Sequence, residues 1–304
     1  DREDFKLAVE EDVVKRVIRH LRGGKDVVLV GAPGVGKTEL ATRVLSVVGK
    51  DMIGNSNYYP AVAYAEWTRG NVIGRLNLEK PPEFVPGCVT SAAENDQWLL
   101  IDEFNRADIN KAFGEMFLGI ESKKIELSEE ESKARALAGK LECIKIPEKF
   151  RMVCTMNDFD KNLLLTELSY GLITRFAFVD IIPDENKEVD SVKKQIGAED
   201  GGKLQEAYQD CEKEIEKFYE FITAVRKNRM IGVRTCIDVI RYTVSASKKE
   251  GKDKVYQFLD EALCDYLWPQ FDRLDKQVIK YALDLSEQHL PKAKGFRENL
   301  DRRY

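Results

Sequence analysis

The stretch Asp26-Val27-Val28-Leu29-Val30-Gly31-Ala32-Pro33-Gly34-Val35-Gly36-Lys37-Thr38 decides how the chain is read. Asp26 to Val30 is a short, nearly continuous apolar run, the pattern of a strand buried on both faces of a parallel sheet. Gly31 to Thr38 then fits G-x-x-x-x-G-K-[ST]. Glycines let the backbone wrap closely around phosphates and turn its N–H groups inward. A helix expected from Lys37 to about Val48 aims its positive dipole end at the same anions. Lys37 is expected to reach the β- and γ-phosphates, and Thr38 to hold Mg²⁺. A glycine-rich turn could match by chance, but this one follows a strand and opens a helix. The nucleotide-contacting set is Gly31, Pro33, Gly34, Val35, Gly36, Lys37, Thr38 and Glu39.

A second apolar run, Trp98-Leu99-Leu100-Ile101, ends in Asp102 and Glu103. Doubly wound sheets carry their ligand chemistry at the carboxyl ends of the strands. Asp102 is expected to hold Mg²⁺ through water, and Glu103 to orient and polarise an attacking water. A solvated acidic turn after a strand is the bland alternative. The phosphate loop upstream weighs against it.

Around these two runs the chain of 304 residues has room for one sizeable core and a smaller lobe. Further strands are expected at Ala61 to Ala65, Arg151 to Thr155 and Ala177 to Ile181, with helical stretches between several of them. A first helix is expected from about Phe5 to Leu21, with Val14, Val17, Ile18 and Leu21 on one face and Gly23-Gly24 closing it. Apolar strands alternating with helices predict an α/β fold, a mainly parallel sheet sandwiched by helices. After Pro183 the pattern changes. Asp184 to Gly202 reads as a polar, acidic linker, and the remainder reads as an all-α lid. There Leu204, Tyr208, Cys211, Ile215, Phe218, Ile222 and Val225 form one apolar stripe, read as core. The expected domains are 1–183 and 184–304.

Composition narrows the function classes. The net charge is −5, so whole-surface attraction to nucleic acid is not expected. A local basic pore could still bind it. Cys88, Cys143, Cys154, Cys211, Cys236 and Cys264 form no C-x-x-C pair, and only His20 and His289 accompany them, which argues against zinc. Scattered cysteines in a domain this large read as reduced core residues of a cytoplasmic protein. No membrane span or signal peptide is visible. The chain opens Asp1-Arg2-Glu3 without Met, which suggests further domains outside it.

Ile101-Asp102-Glu103-Phe104-Asn105-Arg106-Ala107 resembles the D-E-x-N-R-A signature of the MoxR-like and McrB-like AAA+ P-loop ATPases. Val72-Ile73-Gly74 and Phe84-Val85-Pro86-Gly87 resemble that clade's helix-2 insert and the segment after it. Thr155-Met156-Asn157 resembles the sensor 1 position, Thr174-Arg175-Phe176 the motif carrying an arginine finger, and Gly232-Val233-Arg234-Thr235 the sensor 2 motif. The resemblance runs in family order over roughly residues 25 to 240. It implies a ring, commonly of six subunits, with nucleotide at each subunit interface. It also implies that Asn157 bridges the attacking water and γ-phosphate, and that Arg175 enters a neighbour's site. Arg234 would touch the γ-phosphate from the lid, with Arg229 and Arg241 as nearby competitors. Arg106 is interfacial or simply a charge at a helix start. Lys124 to Leu127 and Glu142 to Ile146 flank a charged stretch and look like a hairpin inserted before sensor 1. Trp67, Arg69 and Arg75 of the helix-2 insert either contact a substrate or pack on their own subunit.

MoxR-like members are ATPases that remodel partners, often von Willebrand A-type proteins. McrB-like members prefer GTP and drive a nuclease subunit that cuts methylated DNA, and they carry M-N-x-x-D-R-S. This chain reads Met156-Asn157-Asp158-Phe159-Asp160-Lys161-Asn162, without the Arg and Ser. It also lacks the guanine-reading N-K-x-D, since Asn186-Lys187-Glu188 is followed by Val189. The expectation is ATP over GTP, with an unidentified partner protein, either von Willebrand A-type or a nuclease. A nucleotide switch that hardly turns over is the third reading. Intact Lys37, Asp102, Glu103, Asn157 and Arg175 argue against it.

Overall fold

The computed structural model describes residues 9–79, 81–157, 174–271 and 274–304. The chain divides into two units. One holds Glu10–Gly31 and Lys37–Ile182. The other holds Ala32–Gly36 and Pro183–Tyr304.

In the first unit the elements run α1 (Glu11–Arg22), β1 (Asp26–Gly31), α2 (Lys37–Ile53), β2 (Tyr58–Val62), α3 (Arg69–Val72), β3 (Gly74–Asn77), β4 (Glu83–Pro86), α4 (Cys88–Glu94) and β5 (Trp98–Asp102). They continue with α5 (Ile109–Ser122), β6 (Lys124–Ile125), α6 (Glu129–Leu137), β7 (Ile144–Lys145), β8 (Met152–Asn157) and β9 (Phe176–Asp180). Five strands form one sheet in the order β2-β5-β8-β1-β9, every pairing parallel. Strand β1 pairs on both sides, and Val27 to Val30 are fully buried, as an apolar run between two neighbours demands. The edge strands β2 and β9 are only part-buried.

Strand β2 starts earlier than the expected Ala61 to Ala65 and holds Pro60 inside it. An edge strand tolerates proline, since one row of its donors needs no partner. Helix α1 begins at Glu11 and closes with the Gly23 N–H on the Arg19 carbonyl (2.9 Å). The part of that expectation before residue 9 lies outside the described residues.

Two insertions decorate this unit. In the first, α3 is followed by an antiparallel ribbon of β3 and β4. In the second, β6 and β7 pair over two residues each, and the charged stretch between them is helix α6 rather than a bare hairpin tip. Ser128 and Glu131 cap α6 reciprocally. Trp67 is buried in the core, which removes it as a substrate contact. Arg69 is committed as well: its guanidinium meets Glu115 (2.6 Å) and both carboxylate oxygens of Glu131 on α6 (2.8 and 3.1 Å). From α6, Arg135 reaches Glu94 (2.6 Å) and lies over the Phe84 ring of β4 at 5.2 Å. Arg75 remains exposed.

At the amino end of β1, half-buried Asp26 accepts the Met152 N–H (2.8 Å) with its carboxylate, tying β1 to β8 where β8 begins. Burial pushes its carboxyl from the ordinary 3.8 up to about 6, although the Met152 N–H, Arg151, Lys123 and Lys25 pull the other way. Because the folded value is the higher one, the site favours folding below about pH 3.8, and that contribution is lost as pH rises through about 6. That difference corresponds to about 3 kcal/mol at full ionisation.

The second unit is helical: α7 (Glu185–Ala198), α8 (Leu204–Asp210), α9 (Glu212–Arg226), α10 (Val233–Glu250), α11 (Val255–Ala262), α12 (Lys276–His289) and α13 (Lys294–Arg303). The stripe from Leu204 to Val225 is buried throughout and crosses the junction of α8 and α9 at Cys211. The expected linker is mostly helix α7, capped by the Asp184 side chain on the Lys187 N–H. Its apolar positions are few, but Val192 and Ile196 are fully buried, one and two turns beyond Glu188. Glu188 itself is fully buried and forms a two-pronged pair with Arg226 of α9 (2.8 and 3.0 Å). A carboxylate on the packed face made an amphipathic helix look like solvated chain. Among the described residues no helix is long and apolar enough to cross a membrane.

Two substitutions test these charges. Asp26→Asn is expected to raise stability by about 1–3 kcal/mol near pH 7.5, with the gain vanishing by about pH 4; urea unfolding across that range measures it. Glu188→Ala strands the Arg226 cation and is expected to lose about 3–5 kcal/mol by the same method.

Candidate functional site

Parallel pairing brings the carboxyl ends of β1, β8 and β5 together. Gly31 stands opposite Asn157, and Ile101 opposite Cys154. Helix α2 begins at Lys37, whose side chain is buried. Its Nζ donates to the Gly31 carbonyl (2.8 Å) and to Asn157 Oδ1 (3.3 Å). The next residue, Thr38, donates from Oγ1 to Asp102 Oδ1 (3.1 Å). The structure therefore gathers Gly31, Lys37, Thr38, Asp102 and Asn157 from three strands and one helix N-terminus.

Glu103 leaves β5 in the left-handed region, at φ 56° and ψ 38°. For a residue with a Cβ that conformation costs on the order of 1–2 kcal/mol. Two contacts hold it. Its N–H donates to Thr155 Oγ1 (3.1 Å). Phe104, next in the chain, is buried against Phe113 (5.1 Å) and Phe176 (5.6 Å) between ring centroids. The Glu103 carboxylate is more open and pairs with Arg106 Nε at 2.9 Å.

Sequence reading missed Thr155. It is 1% exposed, and its hydroxyl donates to Asp102 Oδ1 while receiving the Glu103 N–H. The available signal was its spacing: on a strand, positions two apart share a face, so Thr155 must point the same way as Asn157.

Thr38 and Asp102 fit a magnesium ion, since both offer hard oxygen atoms and they lie side by side. Among the described residues no cluster of three or more His, Cys, Asp or Glu could hold a metal, so most of the ligands would be phosphate and water oxygens.

Glu39 is exposed and pairs with Arg43 along α2. Arg175 is held at the end of α5, donating to the Phe117 carbonyl, pairing with Glu121 at 2.6 Å and lying over the Phe117 ring at 5.7 Å. In the second unit, Gly34 has φ 78° and Gly36 φ 87°, conformations that favour glycine. Val35 between them is buried, and Pro33 is exposed. The Arg234 N–H donates to the Gly34 carbonyl (3.3 Å), and a Cβ on Gly232 would lie 1.9 Å from the Pro33 carbonyl oxygen. Arg241 is engaged by Glu199 (2.9 Å) and Asp238 (3.1 Å). The positions compared with the M-N-x-x-D-R-S signature after Asn157 lie outside the described residues.

Residues 26–176 match the family model of an AAA domain, dynein-related subfamily. The chain is 25% identical over 190 residues to the Type IV methyl-directed restriction enzyme EcoKMcrB subunit of Escherichia coli (strain K12), covering 58% of this chain and 39% of that relative. It thus spans about two fifths of that relative's length, 39%. A crystal structure of a proposed ATPase from Cytophaga hutchinsonii ATCC 33406 aligns over 100% of this chain and 92% of its own, at 14% identity and a TM-score of 0.44. Residues 26–176, which hold the residues that build the cluster, therefore belong to the AAA domains of the dynein-related subfamily.

Proposed function

We propose that this chain binds a nucleoside triphosphate with Mg²⁺ and hydrolyses it, ATP in preference to GTP, at the subunit interfaces of a cytoplasmic ring, a hexamer, whose cycle remodels a partner complex. The observation that carries this reading is the convergence of Lys37, Thr38, Asp102 and Asn157 at the ends of adjacent parallel strands. Lys37 exchanges its carbonyl and amide partners for β- and γ-phosphate oxygens. Thr38 and Asp102 hold Mg²⁺, which when bound neutralises charge developing on the phosphates. Asn157 positions the water, and Glu103 polarises it after releasing Arg106. Arg175 acts on a neighbour's nucleotide, and Arg234 acts on the γ-phosphate of its own. In related NTPases a cation supplied from outside the site is worth roughly 10³–10⁵ in rate.

The likeness to the EcoKMcrB subunit favours a second reading, a GTP-driven motor subunit of a methyl-directed restriction system, with a nuclease as partner. The missing Arg and Ser at Lys161 and Asn162 weigh against it.

Phosphate release with ATP and GTP side by side, over a range of protein concentrations, separates the readings. ATP turnover per chain that rises steeply with concentration supports the ring. GTP preference supports the second reading, and a chain that hydrolyses neither overturns both. Glu103→Gln is expected to retain nucleotide and lose about 10²–10⁴ in turnover; unchanged turnover would remove Glu103 from its role. Arg175→Ala is expected to bind nucleotide normally and lose roughly 10³ in rate, and full activity would rule it out as the finger.

A further inference from the structure

The Thr155 hydroxyl touches both acidic residues at the end of β5, the side chain of one and the backbone of the other. A hydroxyl has one proton to give and two lone pairs to receive. Thr155 gives its proton to Asp102 Oδ1 and receives the Glu103 N–H at 3.1 Å. The same Asp102 oxygen also takes the Thr38 hydroxyl at 3.1 Å. Thr155 is 1% exposed on β8, two residues before Asn157, so its position is set by the sheet and not by solvent.

This arrangement does more than satisfy a buried hydroxyl. A threonine could meet its needs by bonding a nearby carbonyl, as Thr90 does with the Ile73 carbonyl and Thr243 with the Val239 carbonyl. Thr155 instead spends both bonds on the neighbouring strand's terminal carboxylate and on the left-handed residue that follows it. We propose that Thr155 is a positioning residue, which fixes the Asp102 carboxylate toward Thr38 and fixes the backbone corner from which Glu103 projects. The proposal rests on the reading of Asp102 as a metal-holding carboxylate and Glu103 as the water-polarising one. Thr155 acts through these two residues. In metal sites, partners of the ligating groups commonly alter metal affinity or activity by 10–100-fold when removed.

The test compares wild type, Thr155→Val, Thr155→Ser and Glu103→Gln in the full chain. Valine keeps the shape and removes the hydroxyl, whereas serine keeps the hydroxyl. Three measurements are made: nucleotide affinity by fluorescent-analogue titration, the Mg²⁺ concentration giving half-maximal nucleotide-dependent thermal stabilisation, and steady-state turnover. Thr155→Val is expected to bind nucleotide within about threefold of wild type at saturating Mg²⁺, to need about 10-fold more Mg²⁺, and to turn over about 10–100-fold more slowly. Thr155→Ser is expected to recover most of both losses. A Thr155→Val protein matching wild type in Mg²⁺ requirement and turnover overturns the proposal and leaves the roles of Asp102 and Glu103 standing if Glu103→Gln is inactive. Loss of affinity, turnover and melting temperature together, with no recovery by serine, assigns Thr155 to packing and also overturns it. An active Glu103→Gln overturns the underlying reading, and the Mg²⁺ titration still reports on Thr155 and Asp102 without turnover.

Discussion

The register between β1 and β8 is the constraint on which the rest depends. At one end of the pair, the Asp26 carboxylate takes the Met152 N–H. At the other, Gly31 faces Asn157, and Lys37 binds both. A slip of one residue would turn Thr155 and Asn157 to the opposite face of the sheet and leave Asp102 and Lys37 without them. The same slip would leave Asp26 half-buried without its donor. The cost of a half-buried carboxylate at the amino end is therefore linked to the accuracy of the site at the carboxyl end.

A second theme is that the charges of the candidate functional residues are already partnered. Lys37 leans on a carbonyl and an amide, Glu103 on Arg106, and Arg175 on Glu121 and the Phe117 carbonyl. A cation or carboxylate left alone in a partly desolvated place is expensive. These contacts hold the arrangement together. For any ligand these groups take in exchange, the net gain at each is the difference between two bonded states.

Much of this was legible in the sequence, because local patterns encode it. The loop from Gly31 to Thr38 and the strand ending in Asp102 and Glu103 are contiguous, and each declares its own chemistry. Contacts between distant segments were not legible. Thr155 looks like any strand threonine until the register sets it beside Asp102. Helix α7 was hidden because its packed face carries Glu188, and only the distant Arg226 makes that burial tolerable. Strand β2 begins before the expected Ala61 and contains Pro60, which is tolerated because the strand lies at an edge, a position set by long-range pairing. Arg175 could be picked out beside Phe176, but no sequence pattern announced that Glu121 holds it.

The two insertions also depend on long-range charge. Arg69 joins α3 to Glu131 of α6, and Arg135 of α6 joins Glu94 while stacking on Phe84 of the ribbon. The ion pairs and the ring contact make the two outgrowths a single truss instead of two independent flaps. A displacement imposed on the β3–β4 ribbon is delivered to α6 with little slack, and the reverse holds equally. Any load met at one tip is shared by both, so the pair behaves as one lever arm mounted on the sheet.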